Sequence, residues 1–305
     1  AETQSLGDYL SAHRYSKSFI NDHLLPMGAA IWSTPVDTMM EYPLAAFVRF
    51  CQNHGLLQIK DRPQWRTVVG GSRQYVGRMI KEISGGVILD SAIAQVGPNG
   101  KGGVFIENRY GERTDYDHVV LACHGDQALA LQANPARAVR ELLSAFQYER
   151  NLAILHDDES LMPQTRKVWS SWNYLAEEHD GEQKVCVTYW MNRLQHLDEG
   201  QPLFVTLNPA RAPREGSVIR SFLYDHPVFD AAAMDAQKRL WSIQGMDNIW
   251  YCGSYFGYGF HEDGIQSGLA VAEALGGVRR PWNVENESGR IHLGPVDTVQ
   301  KEAAA

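Results

Sequence analysis

The chain has 305 residues, enough for about two domains at roughly 150 residues each. Its 36 acidic and 28 basic side chains leave a formal net charge of -8, which repels a phosphate backbone and gives nucleic-acid binding no support. Hydrophobic residues at 44% and charged residues at 21% exclude disorder, and no stretch approaches the roughly 18 apolar residues of a membrane span.

The first seventy residues read as short helices, punctuated at Pro26-Met27-Gly28 and Thr34-Pro35. Leu44, Phe47, Phe50 and Cys51 recur at helical spacing before a stop at Asn53-His54-Gly55. After Gly70-Gly71-Ser72 the spacing predicts a helix over Arg73 to Ile83, with Val76, Met79, Ile80 and Ile83 on one face. The period then changes. Val87 to Leu89, Ile93 to Val96 and Val104 to Ile106 read as strands of a β-meander, with turns at Gly97-Pro98-Asn99-Gly100 and Asn108-Arg109-Tyr110-Gly111. Asp117 to Cys123 reads as a strand buried on both faces. Further expectations are a helix over 136–146, strands over 152–155, 185–191 and 218–223, and a helix over 230–243. A polar tail is expected past Gly276-Gly277.

The four cysteines, Cys51, Cys123, Cys186 and Cys252, lie more than sixty residues apart with no CxxC pair, which fits a reducing, cytoplasmic compartment. Ala1-Glu2-Thr3-Gln4 lacks the basic start and apolar core of a signal peptide. It also lacks an initiator methionine, so the expectation is a processed chain or one that begins inside a longer protein.

Asn248 to Gly276 carries the most information. Ile249 to Cys252 is a short strand, Gly253 to Gly259 a loop with three glycines and two tyrosines, and Ile265 to Leu275 a helix of small and apolar residues. Strand, glycine loop and helix start make a cradle in which exposed N–H groups offer partial positive charge to a ligand. A tight βα connection without a ligand reads equally well from these residues alone.

Tyr251-Cys252-Gly253-Ser254 followed by Gly259-Phe260-His261-Glu262-Asp263-Gly264-Ile265-Gln266-Ser267-Gly268 resembles the C-terminal FAD motif of the flavin amine oxidase superfamily, and most of all its bacterial branch of NAD/FAD-binding oxidoreductases. Gly70-Gly71-Ser72, Val87 to Leu89, Asp117 to Cys123, His156-Asp157-Asp158, Met162-Pro163 and Trp169 to Tyr174 are similar to other stretches of that branch. The resemblance implies an α/β chain of mixed α+β character: a partial FAD-binding, Rossmann-like domain with a β-meander, and a mixed-sheet substrate domain with helices. By that layout residues 1–69 are the helical part of the substrate domain, 70–135 the FAD-domain segment, 136–245 the substrate domain, 246–278 the C-terminal FAD segment and 279–305 a tail.

The same resemblance implies roles. Gly264 and Ile265 supply backbone N–H groups to the flavin ring, Gly253 and Ser254 approach the ribityl-pyrophosphate, Asp263 is a further cofactor-binding residue of the motif, and the Ile93 backbone touches adenine. Many family members carry an acid where this chain has Ser254. Phe260 places a ring against the flavin and His261 positions substrate or tunes the ring. Trp169, Tyr174 and Tyr189 line an apolar cavity; hydrophobic core is the competing reading for each, and for Trp172 and Trp190.

The implied activity is FAD-dependent hydride transfer from a substrate carbon to flavin N5. The implied partner is a small apolar or fatty acyl compound or an amine, and peripheral membrane contact is compatible with it. The family's GxGxxG fingerprint occurs nowhere among the 305 residues, so the alternative is a truncated, non-catalytic scaffold. Neither Lys167 nor Lys184 matches the lysine that amine oxidases use. No HExxH or His/Cys cluster suggests a metal, and no GxSxG suggests a hydrolase.

Overall fold

The computed structural model describes residues 4–32, 36–61, 64–179, 182–285 and 287–294. The fold is mixed α/β and divides into two compact units, Ala1–Val87 with Glu149–His226 and Ile88–Tyr148 with Pro227–Ala305.

The first unit opens on helices α1 (Leu6–Ala12), α2 (Lys17–Phe19), α3 (Leu25–Trp32), α4 (Val36–Met40), α5 (Leu44–Asn53) and α6 (Arg73–Glu82). Ser5 and Ser16 start the first two by accepting from the Asp8 and Phe19 amides, both at 3.1 Å. Helix α5 buries Phe47, Phe50 and Cys51, as their spacing predicts, and Trp32 packs on both phenylalanines. Helix α6 also forms where its period predicts, yet none of its residues is buried. Val87 to Leu89 is a departure: the segment is exposed and takes no part in a described sheet, because β-branched composition makes a strand only where a partner strand lies alongside.

In the second unit β1 (Ile93–Pro98), β2 (Val104–Asn108) and β3 (Arg113–Tyr116) form the antiparallel meander. One asparagine builds each turn. Asn99 Oδ1 accepts from the Lys101 and Gly103 amides at 2.8 and 3.0 Å, and Asn108 Oδ1 from those of Tyr110 and Glu112 at 2.9 and 3.1 Å. The expected strand Asp117 to Cys123 shortens to β4 (Val119–Leu121), followed by α7 (Gly125–Ala130), absent from the sequence reading, and α8 (Arg137–Leu143).

The first unit then gains a five-stranded sheet from β5 (Gln147–His156), β6 (Trp172–His179), β7 (Glu182–Trp190), β8 (Phe204–Leu207) and β9 (Val218–Val228), in the order β6-β7-β8-β5-β9, with α9 (Met191–Gln195) after β7. The sequence predicts β5, β7 and β9. It misses β8, four residues long, and β6, whose polar residues hide its period. The register Trp172↔Tyr189↔Val205 and Tyr174↔Val187↔Leu207 puts these six uncharged side chains on one face.

The opposite face holds a one-way hydrogen-bond chain. The Asp158 amide donates to His156 Nδ1 at 3.1 Å, so Nε2 carries the proton and donates to Thr206 Oγ1 at 2.7 Å. Thr206 donates to Thr188 Oγ1 at 2.8 Å, and Thr188 to the Leu161 carbonyl at 2.9 Å. His156, Thr188 and Thr206 are fully buried, so each polar group depends on the next. Burial pushes the His156 pKa below the ordinary 6.5, with Asp158 and Asp157 opposing it. A folded-state pKa below the unfolded one gives a stability that is complete above the unfolded value and lost as pH falls from there through the folded value. The melting temperature is therefore expected to fall as pH drops below 6.5, and His156→Gln to flatten that slope in a calorimetric pH series.

The second unit closes with α10 (Ala231–Gln237), β10 (Ile249–Tyr251) and α11 (His261–Ala274). The single helix expected over 230–243 breaks after Gln237 and resumes as a 3-10 turn over Leu240–Ile243. Strand β10 pairs parallel with β4 in the register Ile249↔Val119, Trp250↔Val120, Tyr251↔Leu121. Val96, Leu121, Phe146, Trp241, Tyr251 and Phe256 centre the core of this unit.

Candidate functional site

Strand β10 delivers the chain into a loop whose shape is set by contacts with its own helix. The Gly253 amide donates to Ser267 Oγ at 3.0 Å, and Ser267 sits within reach of the Gly253 and Gly264 carbonyls at 3.1 and 3.0 Å. A Cβ on Gly253 would stand 2.8 Å from the Tyr255 ring and 3.1 Å from the Cys123 carbonyl. Ser254, half-buried, opens a 3-10 turn (Ser254–Phe256) and accepts from the Gly257 and Gly259 amides, both at 3.1 Å. Gly259 has φ +90° with the Phe229 ring 3.0 Å from its would-be Cβ, a backbone that only glycine takes readily. Gln237 Nε2 pins the loop from α10 by donating to the Tyr255 carbonyl at 2.9 Å and to the Gly257 carbonyl.

Helix α11 starts at His261, four residues before the start read from the sequence. The cause is Asp263, whose Oδ2 accepts from the Phe260 amide at 2.8 Å and so caps the helix from inside its first turn. Gly264 donates to the Phe260 carbonyl at 3.2 Å, and Ile265 lies a full turn inside, where amides bond back to the helix. The amides that open forward without a helical acceptor are those of His261 and Glu262. Both side chains are exposed, and Gln266 Nε2 holds Glu262 Oε1 at 2.8 Å.

Asp263 is fully buried and its carboxylate is taken up internally: Arg290 Nε lies 2.6 Å from Oδ1 and Arg290 Nη2 3.2 Å from Oδ2. Arg290 belongs to the segment read as a tail. In the same segment Arg280 is buried against Glu273 at 2.7 Å, and Ile291 joins the core. These two arginines and Gln237 escaped the sequence reading. The one local signal was a basic residue beside an apolar one, Arg290-Ile291, in a polar stretch. Ile93, half-buried, opens β1 opposite Asn108.

The aromatic candidates belong to the first unit and separate there. Tyr174 and Tyr189 share the uncharged face with Trp172. Burial pushes the Tyr174 hydroxyl up to about 12 and raises that of Tyr189, so both stay protonated donors. Trp169 is placed on the other face, edge-on to Trp190 and Phe204, with Nε1 donating to the Pro163 carbonyl at 2.7 Å. Among the described residues no group of three or more His, Cys, Asp or Glu could hold a metal ion, and no helix is long and apolar enough to cross a membrane.

The residues suit the ring end of a flavin. Two unspent helix-start amides stand beside Gly264, where a would-be Cβ meets only the Ser254 nitrogen at 4.0 Å, leaving room for a flat group against the backbone.

No family model matches the sequence, and no curated protein matches it. Solved structures do. The fatty acid isomerase of P. acnes that produces CLA matches with a TM-score of 0.60 at 12% identity, over 90% of this chain and 66% of that one. A reduced UDP-galactopyranose mutase matches with a TM-score of 0.60 at 13% identity, over 97% and 73%. Cyclohexylamine oxidase from Brevibacterium oxydans matches with a TM-score of 0.54 at 12% identity, over 90% and 68%. The chain thus spans about two thirds of the length of these structures. At such low identity the likeness shows the fold: this chain has the mixed α/β, flavin-oxidase-like fold that these structures share.

Proposed function

We propose that the chain forms the greater part of an FAD-dependent oxidoreductase that takes a hydride from carbon of a small apolar substrate, a fatty acyl compound or an amine. The observation that carries this reading is the start of α11, where the His261 and Glu262 amides open beside Gly264 at the C-terminal end of a parallel strand, the usual ligand position in α/β sheets. FAD, when bound, supplies the hydride acceptor at N5. The chain's share is to hold the ring: the helix-start amides stabilise negative charge on its pyrimidine edge, Phe260 packs beside it and the His261 side chain orients substrate. The wide spacing of the four cysteines, with no CxxC pair, agrees with a reducing, cytoplasmic location.

Proline at the first helical position separates the amide from the side chain. His261→Pro removes an N–H that the fold does not use, at a position where proline is favoured and after a residue already extended at φ -108°, ψ 166°. His261→Ala keeps the amide and removes the imidazole. In a titration followed by quenching of flavin fluorescence, His261→Pro is expected to bind FAD about tenfold more weakly, the worth of one hydrogen bond, and His261→Ala to bind as the parent does. Equal affinity in the two variants refutes the amide contact. A scaffold without chemistry is the second reading, favoured by the absence of GxGxxG from the 305 residues; no quenching by any form supports it.

A further inference from the structure

A cleft of about 390 Å³ opens in the second unit between α7, the end of α8 and the start of β5. Its size is near the lower end of the roughly 300–1,000 Å³ of small-molecule sites. Asp126, Leu129 and Ala130, at helical spacing, present one face of α7 to it. Leu143 and Phe146, fully buried in the core of the unit, give it an apolar floor. Tyr148 forms a further wall and is held from two sides. Its hydroxyl accepts from the Gly125 amide at 2.9 Å, and the His124 ring stacks on it with the centroids 4.5 Å apart.

One charge stands on this lining, and nothing there answers it. Asp126 Oδ1 accepts from the Gln127 amide at 2.8 Å, but no lysine or arginine lines the cleft, and among the described residues Asp126 has no cationic partner. Ser144 and Gln147 turn their donors away from it, to the Glu141 and Ser144 carbonyls at 3.2 and 2.9 Å. The charge of Asp126 still reaches its neighbours: after burial, it is the next cause that raises the Cys123 thiol. Such a lining repels an anion. A single carboxylate is also too small a ligand set for a metal ion, and no group of three candidate ligands exists among the described residues.

We propose that this cleft binds a small organic ammonium ion, with its apolar body against Leu129, Leu143 and Phe146 and its positive charge beside Asp126. Removing the apolar body from water supplies the affinity. The carboxylate supplies the preference for a cation over a neutral molecule of the same shape. Leu143, Phe146 and Tyr148 are fixed by the fold, so the cleft stands ready without reordering its walls. None of its lining residues belongs to the glycine loop or to α11, and the proposal is independent of the flavin reading.

Two probes that differ only in a quaternary nitrogen against a carbon, choline and 3,3-dimethylbutan-1-ol, test it. Each is titrated into the 305-residue chain while the methyl resonances of Leu129 and Leu143 are followed by NMR. Choline is expected to shift both residues and to bind roughly fivefold more tightly than the alcohol, the worth of one exposed ion pair. Asp126→Asn keeps an acceptor for the Gln127 amide and is expected to bring the two probes to equal affinity. Ala130→Phe, at an exposed helix position, fills the cleft and is expected to abolish both sets of shifts. Equal binding of the two probes by the parent chain overturns the proposal, as does a preference for choline that survives in Asp126→Asn. So do shifts that persist in Ala130→Phe, or none with choline up to about 10 mM.

Discussion

Replacing Arg290 with methionine is expected to cost about 3–5 kcal/mol of stability, because it leaves the buried Asp263 carboxylate without its counter-charge. Methionine restores most of the aliphatic packing, so the loss reports the charge. The surface pair Arg239–Glu141 is nearly as close, at 2.8 Å, but both side chains are more than half exposed; breaking it should cost under about 1 kcal/mol. Denaturant unfolding checks the contrast. The double variant Arg290→Met/Asp263→Asn is expected to recover much of the loss, since an asparagine carbonyl still accepts from the Phe260 amide while no charge stays buried. A loss at Arg290 no larger than at Arg239 would remove the reason for calling that pair the clamp of the helix start.

The second large effect pairs two glycines under one substitution. A Cβ on Gly257 would stand 2.6 Å from Cγ and 2.9 Å from Cβ of Asp263, so Gly257→Ala must displace the residue that caps α11. Overpacking of this kind costs about 1–3 kcal/mol, and the upper end is expected because Asp263 is held by Arg290 and cannot retreat freely. Gly268 lies inside α11 with nothing within 4 Å of its would-be Cβ. There the same change is expected to stabilise by up to about 1 kcal/mol, from helix propensity and a less free unfolded chain. Thermal melts of the two variants should move in opposite directions. The flavin proposal adds that Gly257→Ala disturbs the forward-facing amides and weakens FAD binding, whereas Gly268→Ala leaves it unchanged.

The helix start shows how far local pattern reaches. Small and apolar residues from Ile265 onward announce the body of α11, and the strand before the loop is equally plain. The start itself was legible only as a glycine-rich turn, because Asp263 caps it while fully buried, a buried carboxylate needs a counter-charge, and Arg290, which supplies it, stands 27 residues away. The amides left without a helical acceptor at this start are those of His261 and Glu262, whereas that of Gly264 bonds back to the Phe260 carbonyl. Trp169 is a similar case. An aromatic series in sequence order carries no information about which face of a sheet each ring takes, and the strand register sends Tyr174 and Tyr189 one way while Trp169 packs with Trp190 and Phe204 on the other.

By itself the sequence determined the mixed α/β class, both asparagine turns of the meander, the strand–glycine loop–helix order of the candidate site and the absence of a glycine fingerprint. All of these are encoded within a few residues, by side-chain period or by turn chemistry. Only the tertiary structure decided that Asp263 is buried and clamped by Arg290, that Arg280 and Ile291 past Gly276 are buried, and that Gln237 pins the glycine loop from α10. Each of those depends on groups far apart in the chain, and burial alone turns such pairings from optional into obligatory, since a polar group removed from water must find a partner wherever the fold supplies one.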